Sequence, residues 1–367
     1  RVNKISNASS ANPSDSAATD QSENQASEGL SPVVKGTLFG LLSALAYTAA
    51  NISLREAAVD NNADWAIWIS ALKSIPATIV GWTLVAYRGS RGLPALPPGR
   101  LVIPLILTGL LMQFGGNVMF QWSLSLGGLA FTVPLCFATL LATGAILGRL
   151  FLEEAITPRM FASMVILTAA IVVLSLGAHQ AEESVFEHME HHTRSMVTVA
   201  LTIFVACVAG CAYGAGGVMI RGTVRGEMSI SASLVLISTT GMVCLSGVAF
   251  YRLGIEILWV TTPWQYLVML VGGIMNAIAF FAIGASMKHL TVTRVNLLNA
   301  SQTAMAAFAG VFFFDEKLTV WLLSGTALTI GGLFLMEKKR PAIPNSSLSK
   351  TSPDNSTQPE VSSHEQP

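Results

Sequence analysis

The chain has 367 residues, of which 52% are hydrophobic and 11% charged, with 21 basic side chains against 21 acidic ones. Soluble domains carry about 25% charged residues, so this chain has too few to solvate an ordinary globular surface, and its mean hydropathy of +0.57 agrees. A soluble enzyme, a nucleic-acid binder with a basic footprint and a disulfide scaffold built from only 4 cysteines are therefore poor readings.

Residues 1–32 are rich in Ser, Asn, Ala, Asp and Glu, and residues 339–367 in Ser, Pro, Asn and Thr. Neither tail has the apolar content to offset the entropy of ordering, so both are expected to be disordered. The chain begins at Arg1 rather than Met, which leaves an upstream start open, and no apolar stretch after it resembles a signal peptide.

Between the tails, apolar stretches alternate with short polar ones. A bilayer-crossing helix needs about 20 mostly apolar residues. Ten stretches qualify: 34–54, 65–87, 101–122, 129–150, 159–177, 196–220, 229–251, 264–286, 292–313 and 319–336. A soluble helical protein would need a charged face on each helix, and 159–177 has none after Arg159.

Basic residues near span ends set orientation. With the N-terminus inside, the inner ends hold Arg88, Arg91, Arg100, Arg149, Arg159, Arg221, Arg225, Lys288, Arg294, Lys338, Lys339 and Arg340. The outer ends hold only Arg55, Arg194, Arg252 and Lys317. The bias predicts a multi-pass protein of the cell (inner) membrane with both termini cytoplasmic.

The chain also repeats itself. Shifted by 162 positions, residues 133–157 align without a gap on 295–319, and 9 of 25 pairs are identical, among them Gly148/Gly310, Glu154/Glu316 and Thr157/Thr319. Two apolar stretches would share roughly two or three by chance, so this is an internal repeat. A shift of 166 pairs Tyr47 with Tyr213 and Arg55 with Arg221. Each copy then holds five spans, and an odd number turns the second copy upside down. The expected fold is an all-α membrane protein of ten transmembrane helices in two inverted five-helix repeats. The first repeat is residues 33–178 and the second 196–338, with a polar outer loop at 179–195. Inverted repeats are common in secondary transporters, whose substrate sites lie near the midplane between the copies.

The junctions between fourth and fifth spans read GRLFLEEAIT and GVFFFDEKLT. With ten spans in two halves, they make the chain resemble the EamA repeat of the drug/metabolite transporter superfamily over residues 34–336. Glu154 to Thr157 and Glu316 to Thr319 match the family's acidic turn, and Lys73 falls where the family often has a basic residue. The long loop 179–195 and Asn296, in place of a proline such as Pro134, depart from the pattern. The resemblance implies membrane transport of a small metabolite or drug.

Polar side chains inside spans are costly and face protein or a water-filled cavity. Ser43, Tyr47, Asn51 and Arg55 recur every four residues, as do Gln113, Asn117 and Gln121, so each set shares a helix face. Asn296, Asn299 and Gln302 recur every three, and Asn276 and Tyr213 add one each. These faces are expected to converge on a substrate cavity; the alternative is hydrogen-bonded glue between helices. Lys73 lies roughly 12 Å along the helix from Trp65. It either binds a substrate carboxylate or phosphate, or snorkels outward past a Trp65 and Trp68 belt. No Asp or Glu lies mid-span, and Glu154 and Glu316 read as structural, as anions at helix starts, with Gly148 and Gly310 part of the same motif. Gly144-xxx-Gly148 and Gly210-xxx-Gly214 mark close helix contacts. His188, His191 and His192 could share a metal, but a solvated loop is the expectation, so no metal and no cofactor is expected. The four cysteines read as small core fillers.

The expected function is secondary transport of a small polar metabolite, amino-acid-like or similar, by alternating access. A multidrug exporter is the alternative within transport, ranked lower because aromatics are only 8% and no buried acid appears. An integral-membrane enzyme is more remote, since no HExxH motif, intramembrane Asp pair or Ser/His pairing occurs in the spans. The expected partners are a small-molecule substrate and membrane lipid, with nucleic acid excluded and a homodimer left open.

Overall fold

The computed structural model describes residues 31–59, 62–186, 196–226, 228–313 and 319–337. The compact unit that ends at Met336 contains all of these but Glu337, the last residue of the final helix. Ser31 and Pro32, expected in the first tail, begin a helix, and residues 179–186 of the expected outer loop continue one; the rest of both tails, residues 187–195 with the three histidines, and Glu316 and Lys317 lie outside the described residues.

Every described element is a helix. In chain order they are α1 (Pro32–Glu56), α2 (Ala63–Ser90), α3 (Gly99–Leu110), a π-helical stretch (Leu111–Val118), α4 (Met119–Leu152), α5 (Pro158–Phe186), α6 (Met196–Val224), α7 (Ile230–Leu253), the short α8 (Ile257–Val260), α9 (Pro263–His289), α10 (Val292–Asn299), α11 (Gln302–Phe313) and α12 (Val320–Glu337). Their starts are written in the sequence. Ser31, Asn62, Ser229 and Thr291 each accept a hydrogen bond from the third residue on, and Thr262 forms a capping box with Gln265. These caps satisfy amides that the first helical turn leaves free.

Seven helical segments among the described residues are long and apolar enough to cross a membrane. They coincide with the first four and the sixth to eighth expected spans. The other three expected spans are also helical, but differently. Pro158–Val173 is a shorter apolar stretch. The last is the 18-residue α12. The ninth is not one helix, because 292–313 breaks at Ala300 and Ser301 into α10 and α11. There the Ser301 and Thr303 hydroxyls donate to the carbonyls of Leu298 and Ala300. The same carbonyls also accept from the backbone N–H groups of Ser301 and Thr303, so the break is a tightened turn whose backbone stays paired.

α4 contains a second break. Gly128 has φ 68° and ψ −177°, so the helix is really two rods that meet there. Side chains are nearly excluded from that region of backbone space, although a methyl group would meet nothing within 4 Å. Gly128→Ala is therefore expected to cost about 1–3 kcal/mol of stability through the backbone alone, read as a lowered midpoint of thermal unfolding in detergent.

Three buried apolar clusters hold the bundle. One joins Leu105, Ile220, Leu234 and Leu298; one joins Leu124, Val133, Leu141 and Leu297; one joins Leu54, Trp68, Leu245 and Met269. Leu38, Ile79, Ile103, Phe204, Val243 and Leu270 are exposed on outward faces. That arrangement of apolar residues inside and outside suits lipid rather than water as the surrounding medium.

Trp65 and Trp68 do not form an outward belt. Both are buried in the third cluster, and their indole N–H groups donate to the Ala57 carbonyl at 2.9 Å and the Thr261 hydroxyl at 3.0 Å. A buried indole needs such a partner, and the loop residues between helices supply it. Lys73 is itself buried and does not reach an outward face.

Candidate functional site

The polar faces meet. A cavity of about 110 Å³ lies among α1, α2, the π-helical stretch, α4, α6, α7, α9, α10 and α11. At roughly 10–15 Å³ per water this holds several water molecules. Ten of the eleven residues expected to bind substrate line it: Tyr47, Asn51, Lys73, Gln113, Asn117, Tyr213, Asn276, Asn296, Asn299 and Gln302.

Gln121 does not reach it. Its amide donates 3.1 Å to the Leu54 carbonyl, away from the cavity. The four-residue spacing assumed a continuous α-helix, but Gln113 and Asn117 sit in the π-helical stretch. A π-helix carries more residues per turn, so Gln121, one turn later on α4, points elsewhere. The ninth stretch deviates similarly. Asn296 and Asn299 belong to α10, while Gln302 opens α11 across the break.

Two hydrogen-bonded chains organise the lining. In the first, the Tyr213 hydroxyl donates 2.6 Å to Asn117, whose amide donates 2.5 Å to Gln113 Oε1. Ser74 also donates to that oxygen, and the Gln113 amide bonds the Ile237 carbonyl. In the second, Ser43 and Gln302 both donate to Asn299 Oδ1, at 3.1 and 3.0 Å, and Asn299 donates to the Val295 carbonyl. Buried amides tied this way keep fixed directions in a medium without competing water.

Lys73 differs from all of these. It is 3% exposed, lines the cavity, and has no hydrogen-bond or ion-pair partner among the described residues. No Asp or Glu contributes to the wall. An ammonium at membrane depth costs about 2.5–3.5 kcal/mol on insertion scales, and no partner among the described residues offsets that cost. Asn296 Nδ2 is buried and also has no partner.

Sequence reasoning missed the apolar part of the wall. Phe120, Phe137 and Phe280 join Tyr47 and Tyr213, together with Met112 and Met287. An aromatic share of 8% for the whole chain conceals this local concentration. Single aromatic residues on apolar helices carry no periodic signal, so only the packing of the helices could reveal them.

Glu154 stands apart from the cavity. Its carboxylate accepts 3.0 Å from Arg221 Nε and 2.9 Å from the backbone N–H of Val292, and its own N–H donates to the Gly148 carbonyl. Arg221 also donates to the Met287 carbonyl. The acid does cap a helix start, but that of α10 rather than of α5, which Thr157 caps through the Met160 N–H. Gly310 lies in α11, and its sequence mate arrangement at Glu316 is outside the described residues. Cys136 is buried in the cavity wall as a small filler, whereas Cys211 is exposed and accepts a hydrogen bond from Thr143. Among the described residues no group of three His, Cys, Asp or Glu could hold a metal.

Residues 200–337 match the model of the EamA-like transporter family. No curated protein matches the sequence. A solved structure described only as the crystal structure of a protein is similar at a TM-score of 0.60 and 18% identity, covering 82% of this chain and 96% of that one. At that identity the likeness concerns the fold.

Proposed function

We propose, from a chain whose residues 200–337 match the model of the EamA-like transporter family, that this protein moves a small polar metabolite across the membrane by alternating access. It is a multi-pass membrane transporter and not an enzyme. The observation that carries the reading is the convergence of ten polar or aromatic side chains, from separate helices, on one cavity.

In this reading the protein has ten spans in two inverted five-span copies, the first at 33–178 and the second at 196–338, with both termini cytoplasmic in the cell membrane. Inversion pairs α1 with α6, α2 with α7, the third span with α9, and α4 with the broken ninth span. The packing supports it: α4 lies on α6 as α10 and α11 lie on α1, α9 on α1 as the π-helical stretch on α6, and α9 on α2 as α3 on α7. A cavity between the copies is where such carriers hold their substrate.

The five aromatic rings favour a second reading, export of bulkier apolar compounds through the same cavity. Uptake and efflux of a panel of amino acids, organic acids and aromatic cations in proteoliposomes, with and without a proton gradient, separates the two. Replacing Asn117, Asn299 or Gln302 by Leu, one at a time, is expected to cut the initial rate at least about tenfold, because each breaks a buried hydrogen-bonded chain. Unchanged rates in folded protein would overturn the cavity as the substrate site.

A further inference from the structure

The buried ion pair of Glu154 and Arg221 adjoins one end of the cavity. Ile220, the residue before Arg221, lines the cavity, and so does Met287, whose carbonyl accepts a hydrogen bond from Arg221. Together with Val224, Leu290 and Val295, these two belong to one buried apolar cluster, which plugs the bundle at this end. Four helix ends meet here: α4 ends at Leu152, α6 at Val224 and α9 at His289, while α10 begins at Val292.

One carboxylate and one guanidinium tie these ends together. Glu154 accepts from Arg221 Nε at 3.0 Å and from the Val292 backbone N–H at 2.9 Å, and Arg221 also grips the Met287 carbonyl. Arg225, one turn later, donates 3.1 Å to the Leu152 carbonyl. Apolar contacts alone would hold such ends equally well. Replacing a buried ion pair by apolar groups of similar volume is often neutral or stabilising, so static stability does not account for charges inside this plug. The two constructions differ when the ends part. Separating apolar surfaces exposes them to water at a cost proportional to their area. A separated carboxylate and guanidinium instead regain the hydration they gave up on closing. A charged plug is therefore firm when shut and opens with a smaller penalty.

We propose that the ion pair of Glu154 and Arg221 is the gate at this end of the cavity, closed in this structure, and that it must separate before the cavity opens to the adjoining compartment. This rests on the reading of alternating access through the cavity and deepens it by naming the contact that seals one end. A gate and a mere brace of the fold differ in sign. Neutralising one partner leaves a stranded charge that only the open, hydrated state relieves, so the end should open more often. Neutralising both leaves no charge for water to reclaim, so the end should open less often although the fold is intact.

The test measures access to Cys136, which lines the cavity, in the full-length protein with Cys207, Cys211 and Cys244 replaced by Ala. A membrane-impermeant methanethiosulfonate is applied to one face of oriented vesicles at a time. Glu154→Gln strands the guanidinium, and Arg221→Lys keeps the charge but cannot hold Glu154 and the Met287 carbonyl with one fork. Both should label at least about threefold faster than wild type from the face next to the pair, and no faster from the other, as a shifted equilibrium requires. The uncharged Glu154→Gln/Arg221→Met should label at least about threefold more slowly from the near face, with an unfolding midpoint closer to wild type than that of Glu154→Gln. Labelling that simply follows stability, with the double variant like wild type and the single variants faster from both faces, would make the pair a brace and overturn the proposal. If Cys136 labels from neither face in any variant, at a reagent concentration that labels it fully in unfolded protein, the cavity is not a passage, and the reading of the site fails together with the inference.

Discussion

Gly210→Val is expected to cost at least about 3 kcal/mol and to leave little folded protein, since overpacking at a fixed contact reaches and exceeds that value. A Cβ at this position would be driven into the Thr139 hydroxyl and the Cys136 carbonyl oxygen, and would lie 3.0 Å from the Leu140 amide nitrogen. One turn on, a Cβ at Gly214 would meet Thr143 Cβ at 2.9 Å and the Gly144 nitrogen and Leu140 carbonyl at 3.0 Å. Most of these neighbours are α4 backbone and cannot move aside as a flexible side chain would. Here the small-residue spacing brings two helices into backbone contact, which in lipid is a main source of helix association. Gly247 of α7 gives the contrast, because it is exposed and nothing lies within 4 Å of an added Cβ. Gly247→Ala should be neutral or stabilise by up to about 1 kcal/mol through helix propensity. Thermal unfolding of both variants in one detergent makes the comparison, and similar midpoints would refute the close-contact account.

The second large effect concerns the ion pair between Glu154 and Arg221, whose side chains are only 6% and 11% exposed. Breaking a buried pair from one side leaves an uncompensated charge and costs about 3–5 kcal/mol. Glu154→Gln keeps an oxygen for the Val292 N–H but strands the Arg221 guanidinium, and is expected to fall in that range. Arg221→Met strands the carboxylate and should do likewise. The double variant strands neither, so its loss should be well below the sum of the two. A double-mutant cycle by denaturant unfolding measures this, and strict additivity would mean that the two groups act independently. The pair ties the end of α4, the end of α6 and the start of α10, and through Met287 the end of α9. Any movement that separates these ends must first break it or carry it along.

Much of this was visible in the residues, for reasons that can be stated. Seven spans were legible because lipid demands about 20 apolar residues in a row, and few other structures do. The polar stripes were legible because a helix repeats its face every three or four residues, and intramembrane polar residues are conspicuous. The same periodicity misled wherever the helix was not regular. Gln121 was placed on the cavity face on the assumption of an unbroken α-helix, and the ninth stretch was drawn as one rod across Ala300 and Ser301. Both irregularities are held by tertiary hydrogen bonds, such as Ser43 to Asn299, that join residues far apart in sequence. Trp65 and Trp68 were read as an interfacial belt from their position near a span end, but their indole partners lie on loops that the pattern of one helix cannot reveal. The aromatic wall was hidden for the same reason, since no single helix supplies it.

The glycine contacts have one more consequence. Gly210 and Gly214 seat α6 on α4 largely by backbone, and Gly272 and Gly273 seat α9 on Leu54, Pro76 and the Cα of Lys73. Tyr213, Phe137, Leu140 and Phe280 of these same helices project into the cavity. The frame is thus fixed by atoms other than those that face the cavity. A phenylalanine in the lining can therefore be exchanged for a leucine, changing the shape of the cavity, while the helices stay in register.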